Sequence, residues 1–456
     1  MTRTTIRTMK LAAATALVAC VASAWADGIP PRYVATEFDG LLDGVTTPRG
    51  LNDLGRSTGR SGVGMVGVGW HAYLGYPDGS IVNIETTPAS SSEGFVINNA
   101  GVIAGIVEGP AGHELFYYTP EQGMMIIGSL GGTYGRVTDI NEAGDIVGEW
   151  RIPSGERHAF LYTTDGGLID LGTLGAYESC ARDINENRQI VGYSWTSDWD
   201  IHAFLWEDGV MVDLGTAGGD WSEAYYINNE GIVVGKSKDA DGQFRAFRYD
   251  TATGVMEVLP SPAGAQSSHA TWISGDSERT VGWWTTSDGN HGRAFYYTET
   301  EGIVDMGLDL GAGWSIPPPK VNQAGQTLLV RLDDQTYETY GHVFDPASGV
   351  HDLNDLLAVE HDWSINDCVD INETGHILCM AMLRDHPWTQ YAILLTPITP
   401  GDLDADGDVD LGDLAQLLAG YGATGGARYA DGDIDADGDV DLGDLAALLS
   451  VFGTGT

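Results

Sequence analysis

Residues 140–175 read INEAGDIVGEWRIPSGERHAFLYTTDGGLIDLGTLG, and the chain repeats this unit at once. From Ile184 the same marks recur in the same order: I-N, then I-V-G, then His202-Ala203-Phe204-Leu205, then Val212-Asp213-Leu214-Gly215. Taking the asparagine as anchor, copies fall at Asn52, Asn98, Asn141, Asn185, Asn228, Ser274, Asn322 and Asn372. The H-A-F position gives an independent series: His71, His113, His158, His202, Arg245, Arg293, His342 and Tyr391. Two markers returning the same set of copies define a long-period repeat.

Each copy holds four short apolar runs. They are rich in β-branched and aromatic residues and are cut by Asn and Gly turns, which predicts strands rather than helices. Turns such as Asp165-Gly166-Gly167 supply the left-handed positions that tight hairpins need. Four antiparallel strands every ~45 residues is the blade period of a β-propeller. The eighth copy lacks its D-L-G strand, and an unpaired strand at Tyr33-Val34-Ala35-Thr36 precedes the first copy. Pairing the two would complete the last blade and hide two sheet edges. The expectation is an all-β propeller of eight four-stranded blades over residues 27–395, with seven blades as the alternative.

Acidic residues outnumber basic ones 65 to 22, giving a net charge of −43. That sign repels phosphate backbones and excludes nucleic acid as a natural partner. Residues 1–26 read as a secretory signal: a basic segment through Lys10, an apolar run, and Ala24-Trp25-Ala26 before Asp27. The run is short for a membrane span, so the mature chain is expected to have none and to be extracellular or at the cell surface. A rival pattern, Leu17-Val18-Ala19-Cys20, resembles a bacterial lipobox and would leave a lipid anchor on Cys20. Of the remaining cysteines, Cys368 and Cys379 flank the turn Asn372-Glu373-Thr374-Gly375 symmetrically, so they should face each other across a hairpin. They read either as a disulfide or as two buried thiols, with Cys180 free.

The repeated Asn and His serve turns and packing in this reading, since Arg245 and Arg293 replace His without breaking the pattern. The aromatic residues between strands are the candidate binding positions. Trp150 and Trp195 follow second strands, and Tyr177 and Trp221 precede first strands. In a meander these connections emerge at one end, so all four are expected on one rim among Asp198, Asp200, Asp220 and Glu223. Aromatic faces beside carboxylates suit sugar rings. The competing reading packs the same aromatics between blades. No nucleophile elbow, zinc-protease motif or P-loop is present, so no catalytic residue is assigned.

After a short linker at 396–400 the composition changes. Residues 401–422 and 432–453 are near-duplicates sharing DADGDVDLGDLA. Asp402, Asp404 and Asp406 stand at positions 1, 3 and 5 of a calcium-loop spacing, with Gly407 at position 6, Asp408 at 7 and Asp413 at 12. The second loop has Asp433, Asp435, Asp437, Gly438, Asp439 and Asp444 in the same places. Oxygen-only ligands select a hard cation, so two calcium ions are expected in a small domain, 401–456, of two loop–helix units.

Two resemblances follow. H-A-F with I-N-x-x-G-x-I-V-G and D-L-G-T-L-G-G resembles the HAF family of extracellular repeats across residues 33–395, a family that brings no assigned chemistry. The tail over 401–453 resembles a type I dockerin, which implies calcium-dependent docking to a cohesin-like protein. It departs from that family at loop positions 10 and 11, Leu411-Gly412 and Leu442-Gly443, where Ser/Thr pairs usually stand. The expected function is a secreted, non-catalytic binding or adhesion protein that takes polysaccharide at one rim. The alternatives are a polysaccharide-active hydrolase or lyase of a cellulosome-like system, and a structural surface or matrix component.

Overall fold

The structure, a computed structural model, describes residues 29–41, 45–62, 69–85, 91–109, 112–287, 291–311, 317–385 and 390–454. The secretory signal at 1–26 and the lipid-anchor position Cys20 lie outside the described residues. No helix among the described residues is long and apolar enough to cross a membrane.

The repeat folds as the alternation of its runs dictates. Among the described residues, eight four-stranded antiparallel meanders follow one another along the chain. Meander 3 is typical: Gly135–Ile140, Ile146–Arg151, Arg157–Thr163 and Gly167–Gly172 pair in sequence order. Meanders 4 and 5 are joined by one parallel bridge, Ile201 to Trp221. The eighth meander is completed from the far end of the chain. Its outer strand is Arg32–Glu37, antiparallel to Gln390–Ile398 with Arg32 opposite Ile398 and Glu37 opposite Ile393. The expected closure is therefore observed.

Consecutive meanders pack face to face. The phenylalanine of H-A-F is wholly buried in Phe160, Phe204, Phe247 and Phe295, and Phe116 takes the same place in the second copy, where the register puts Glu114 rather than His113 at the histidine position. Phe160, for example, meets Val102, Ala104 and Leu115 of the preceding meander, and Phe204 meets Val147 and Leu161. The eighth and first meanders share a cluster too, with Leu378, Ala392 and Leu394 against Phe38 and Leu51. The fold is a β-propeller.

A second device joins the meanders. The anchor asparagine accepts backbone N–H bonds within its own turn, while its Nδ2 donates to the carbonyl of the equivalent residue in the next meander. Asn52 donates to Asn98, Asn98 to Asn141, Asn141 to Asn185, Asn185 to Asn228 and Asn228 to Ser274, at 2.9 to 3.3 Å. Asn322 donates to Asn372, and Asn372 to Asn52. The step from the sixth meander is the exception, because Ser274 has no amide and its hydroxyl turns to Asp276. Burying an amide is costly unless its bonds are made, and here the ring itself makes them.

Two of the H-A-F histidines pair across to the fourth strand. His158 and His202 bond Asp170 and Asp213 at 2.9 and 2.8 Å, and Arg293 replaces histidine in the same pairing with Asp305.

The tail carries two ten-residue helices, α1 (Leu411–Gly420) and α2 (Leu442–Val451). Their inner faces bury Leu403, Val409, Leu417, Tyr429, Ile434, Val440 and Leu448. Ile29, Val34, Ala358 and Ile398 of the ring pack against this core, and the Arg32 guanidinium lies 4.7 Å over the Tyr429 ring. The expected linker is partly strand, since 396–398 continue the pairing with 32–34. The reason is that the closing strand supplies partners for those residues, which a free linker would leave to water.

Candidate functional sites

The tail brings part of the expected ligand set together. Carboxylate oxygens of Asp402, Asp404 and Asp413 lie within 4.8 Å of one another, and so do those of Asp433, Asp435 and Asp444. Each loop turns through left-handed Ala405 or Ala436 and then Gly407 or Gly438. The Gly407 and Gly438 N–H groups donate to Asp402 and Asp433, fixing the position-1 carboxylates. Their other oxygens, Oδ1 of Asp402 and Asp433, are buried without a hydrogen-bond partner. A buried carboxylate oxygen with nothing to accept from is costly, and a cation would satisfy it. Burial, followed by the charges of Asp413 and Asp404, pushes the Asp402 carboxyl up to about 6.

Asp406 and Asp437 do not join these clusters; each accepts the N–H two residues on, from Asp408 and Asp439. Asp413 and Asp444 have a second role, as they take backbone N–H groups from both ends of the loop. With Asp410 and Asp441 as N-caps they form capping boxes that start α1 and α2. Asp410 also clusters with Asp408 and Asp413. Its D-x-x-D spacing to Asp413 was the sequence signal for that role.

The four rim candidates separate. Trp150 has no exposed surface, so its ring offers no face to a ligand. It lies edge-on to Phe160 in the core between meanders 2 and 3. The reason is Gly135: a Cβ there would stand 2.0 Å from Trp150 Cε3, so only glycine admits the indole. Trp195 and Trp221 are half-buried; Trp221 Nε1 donates to Glu223 Oε1 at 2.7 Å. Tyr177 is 49% exposed and Trp199, which the sequence reading passed over, is 67% exposed. Trp199 holds a left-handed backbone, φ 69°, at the tip of its turn, and its ring meets Trp195 edge-on at 6.2 Å. Strain of this kind in a bulky residue often marks a working position. Tyr177 and Trp199 line one shallow cleft with Ser154, Glu156, His158 and Ser197.

Sequence reasoning missed the central cavity, of about 950 Å³. Seven of the eight first strands carry a β-bulge just before I-N, as between Val137 and Asp139 or Ala181 and Asp183. A bulge re-aims side chains, and these bulges turn Arg49, Phe95, Thr138, Arg182, Tyr225, Thr271 and Val369 to the cavity wall. The I-V-G glycine answers the bulge. A Cβ on Gly148 would stand 2.1 Å from the Arg136 carbonyl. Within the cavity Asp139 and Asp183 are neighbours, and burial raises both carboxyls above the usual carboxylate range. Their backbone bonds come from the next meander, Ile184 N to Asp139 and Ile227 N to Asp183. Lys320 pairs with Asp370 at 2.8 Å, and Tyr226 stacks on Trp272 at 3.9 Å.

Cys368 and Cys379 face each other as expected, with sulfurs 3.0 Å apart as free thiols. Cys180 is buried and burial pushes its thiol up to about 12.

No protein-family model matches the sequence, and no curated protein matches it. Solved propellers are similar in shape at low identity. One of two prolyl endopeptidases is 12% identical with a TM-score of 0.49, over 82% of this chain and 57% of that one. The β-propeller domain of the trilobed protease from Pyrococcus furiosus is 8% identical with a TM-score of 0.43, over 65% and 93%. TolB from Acinetobacter baumannii is 12% identical with a TM-score of 0.34, over 66% and 79%. Likeness at this level carries no function with it.

Proposed function

We propose that this chain is an exported, non-catalytic binding protein. Its eight meanders are the blades of one closed propeller, one rim of which takes polysaccharide, and its tail is a calcium-loaded, dockerin-like mooring for a cohesin-like partner. The observation that carries the binding half is the Tyr177–Trp199 cleft: two exposed aromatic rings beside Glu156, His158 and two serines. Sugar rings stack their C–H faces on such rings and bond their hydroxyls to such neighbours. The mooring half rests on the duplicated loops with buried, unpartnered oxygens on Asp402 and Asp433. On the outside of the helices, Leu411, Leu418, Leu442 and Leu449 are all exposed, an apolar face repeated by the duplication.

A glycan array probed with the full chain in calcium tests the first half. Binding that is lost in Tyr177→Ala and Trp199→Ala supports it, and binding indifferent to both variants removes it. Calorimetry of the full chain with calcium tests the second. Two sites lost in Asp402→Asn and Asp433→Asn are expected, and no heat at millimolar calcium removes the reading.

A second reading, a polysaccharide-active hydrolase or lyase, is favoured by one observation. Asp139 and Asp183 lie together in the cavity, and burial favours their protonated forms, which suits one of them as a general acid. New reducing ends or unsaturated products from a polysaccharide, absent with Asp183→Asn, would establish it.

A further inference from the structure

We propose that the central cavity binds a carboxylate-bearing sugar ring, a uronic acid, through Arg136 and Arg182. This deepens the polysaccharide reading and rests on it. Among the described residues nine of the sixteen arginines pair with carboxylates, Arg49 with Glu93, Arg157 with Glu149 and Glu178, Arg188 with Asp145 and Arg293 with Asp305 among them. Arg136 and Arg182 stand on neighbouring blades, both line the cavity, and among the described residues neither has a carboxylate at ion-pair distance. Arg182 Nε is buried without a hydrogen-bond partner. The first carboxylate it senses is Glu223, already engaged by Trp221 Nε1 and, at 3.5 Å, by Lys236. The adjacent Cys180 is a neutral thiol, since burial pushes it up to about 12, and supplies no counter-charge.

A buried guanidinium with open donors is costly, and a carboxylate is the anion whose planar geometry fits its fork. The rest of the wall selects further. Asp139, Asp183, Asp370 and Glu373 also line the cavity, which disfavours phosphate and sulfate groups that concentrate two charges on one centre. Tyr225, Trp272 and Trp283 add aromatic rings to the wall, with one face of Trp272 covered by Tyr226 and one face of Trp283 by His269. The Asp139 and Asp183 carboxyls, whose protonated forms burial favours, add hydrogen-bonding groups for hydroxyls to the same wall. A cavity of about 950 Å³ is at the upper end of the range for pockets that enclose small ligands, enough for more than one sugar ring.

The test is calorimetry of the full chain, in calcium, with trigalacturonate, a neutral galactose trimer and sodium sulfate. Binding of trigalacturonate alone is expected, weakened at least about tenfold in both Arg136→Gln and Arg182→Gln. Arg136 is exposed, so its variant keeps the fold and remains informative if Arg182→Gln does not fold. No uronide binding, equal binding of sulfate or the neutral trimer, or a wild-type affinity in Arg136→Gln overturns the proposal. Tyr177→Ala separates the two readings. Loss of polysaccharide binding with trimer affinity kept leaves both sites standing, whereas loss in Tyr177→Ala with no effect of either arginine leaves only the rim.

Discussion

The Asn372 side-chain amide donates to the backbone carbonyl of Asn52 at 2.8 Å, joining residues 320 positions apart. The same asparagine accepts from the N–H groups of Thr374 and His376. One side chain thus shapes a turn and fastens the last blade to the first. Asn372→Ala breaks both and strands buried polar groups, so a loss of about 2–3 kcal/mol is expected in urea unfolding. A midpoint equal to wild type would show that the ring closes without this bond.

Core and rim aromatics should part cleanly. Trp150→Ala empties a wholly buried indole site beside Phe160 and should cost about 3–5 kcal/mol. Trp199→Ala, at an exposed turn tip, should change stability by less than about 0.5 kcal/mol. Thermal melts of the two variants check this, and similar melting temperatures would contradict the assignment.

Calcium binding should depend on pH with a definite sign. Asp402 is raised to about 6 by burial and its carboxylate neighbours, and a metal ligand must be ionised. Affinity is therefore expected to fall as pH drops through about 6, well above the ordinary carboxylate range. Titrations at about pH 7 and about pH 5 that give equal affinity would exclude Asp402 as a ligand.

The Asp139–Asp183 pair predicts the pH dependence of the ring. Both carboxyls are raised in the folded chain, so on unfolding they release protons. Their contribution to stability is then full below the ordinary value of 3.8 and is lost as pH rises through their raised values, about 6 for Asp139. Asp183→Asn should flatten the decline in melting temperature over that window, read in saturating calcium to silence the tail. An unchanged slope would place the protonation elsewhere.

Cys368 and Cys379 sit opposite each other with sulfurs 3.0 Å apart. In an oxidising compartment they should form a disulfide, seen as the loss of two hydrogens in intact mass. After denaturation only Cys180 and any leader thiol should then label. Reduction should cost about 3 kcal/mol. Labelling of both thiols in protein from an oxidising host would refute the bridge.

Much of the ring was legible because each strand is short, apolar and bounded by Asn or Gly. The Asn repeat announced a turn, but its donation to the next blade was hidden, since a sequence does not say which carbonyl lies opposite. Trp150 was misplaced for a local reason: Gly135, at the position where Ser179 and Ser222 stand in the next copies, opens space for an inward ring. The cavity residues were illegible because a bulge shifts register without altering the apolar pattern, so Arg182 and Asp183 read as ordinary strand positions. In the tail, spacing located Asp402, Asp404 and Asp413, while Asp406 and Asp437 bond their own loops.

The tail follows directly from Gln390–Ile398, the strand that Arg32–Glu37 flanks on one side and Ile377–Leu383 on the other. If the tail is held and the ring is pulled by what it grips, tension enters along that strand. Its antiparallel hydrogen bonds lie across the line of force, so they share the load as a shear rather than opening one by one. The seam that closes the circle is also where the molecule would bear mechanical stress.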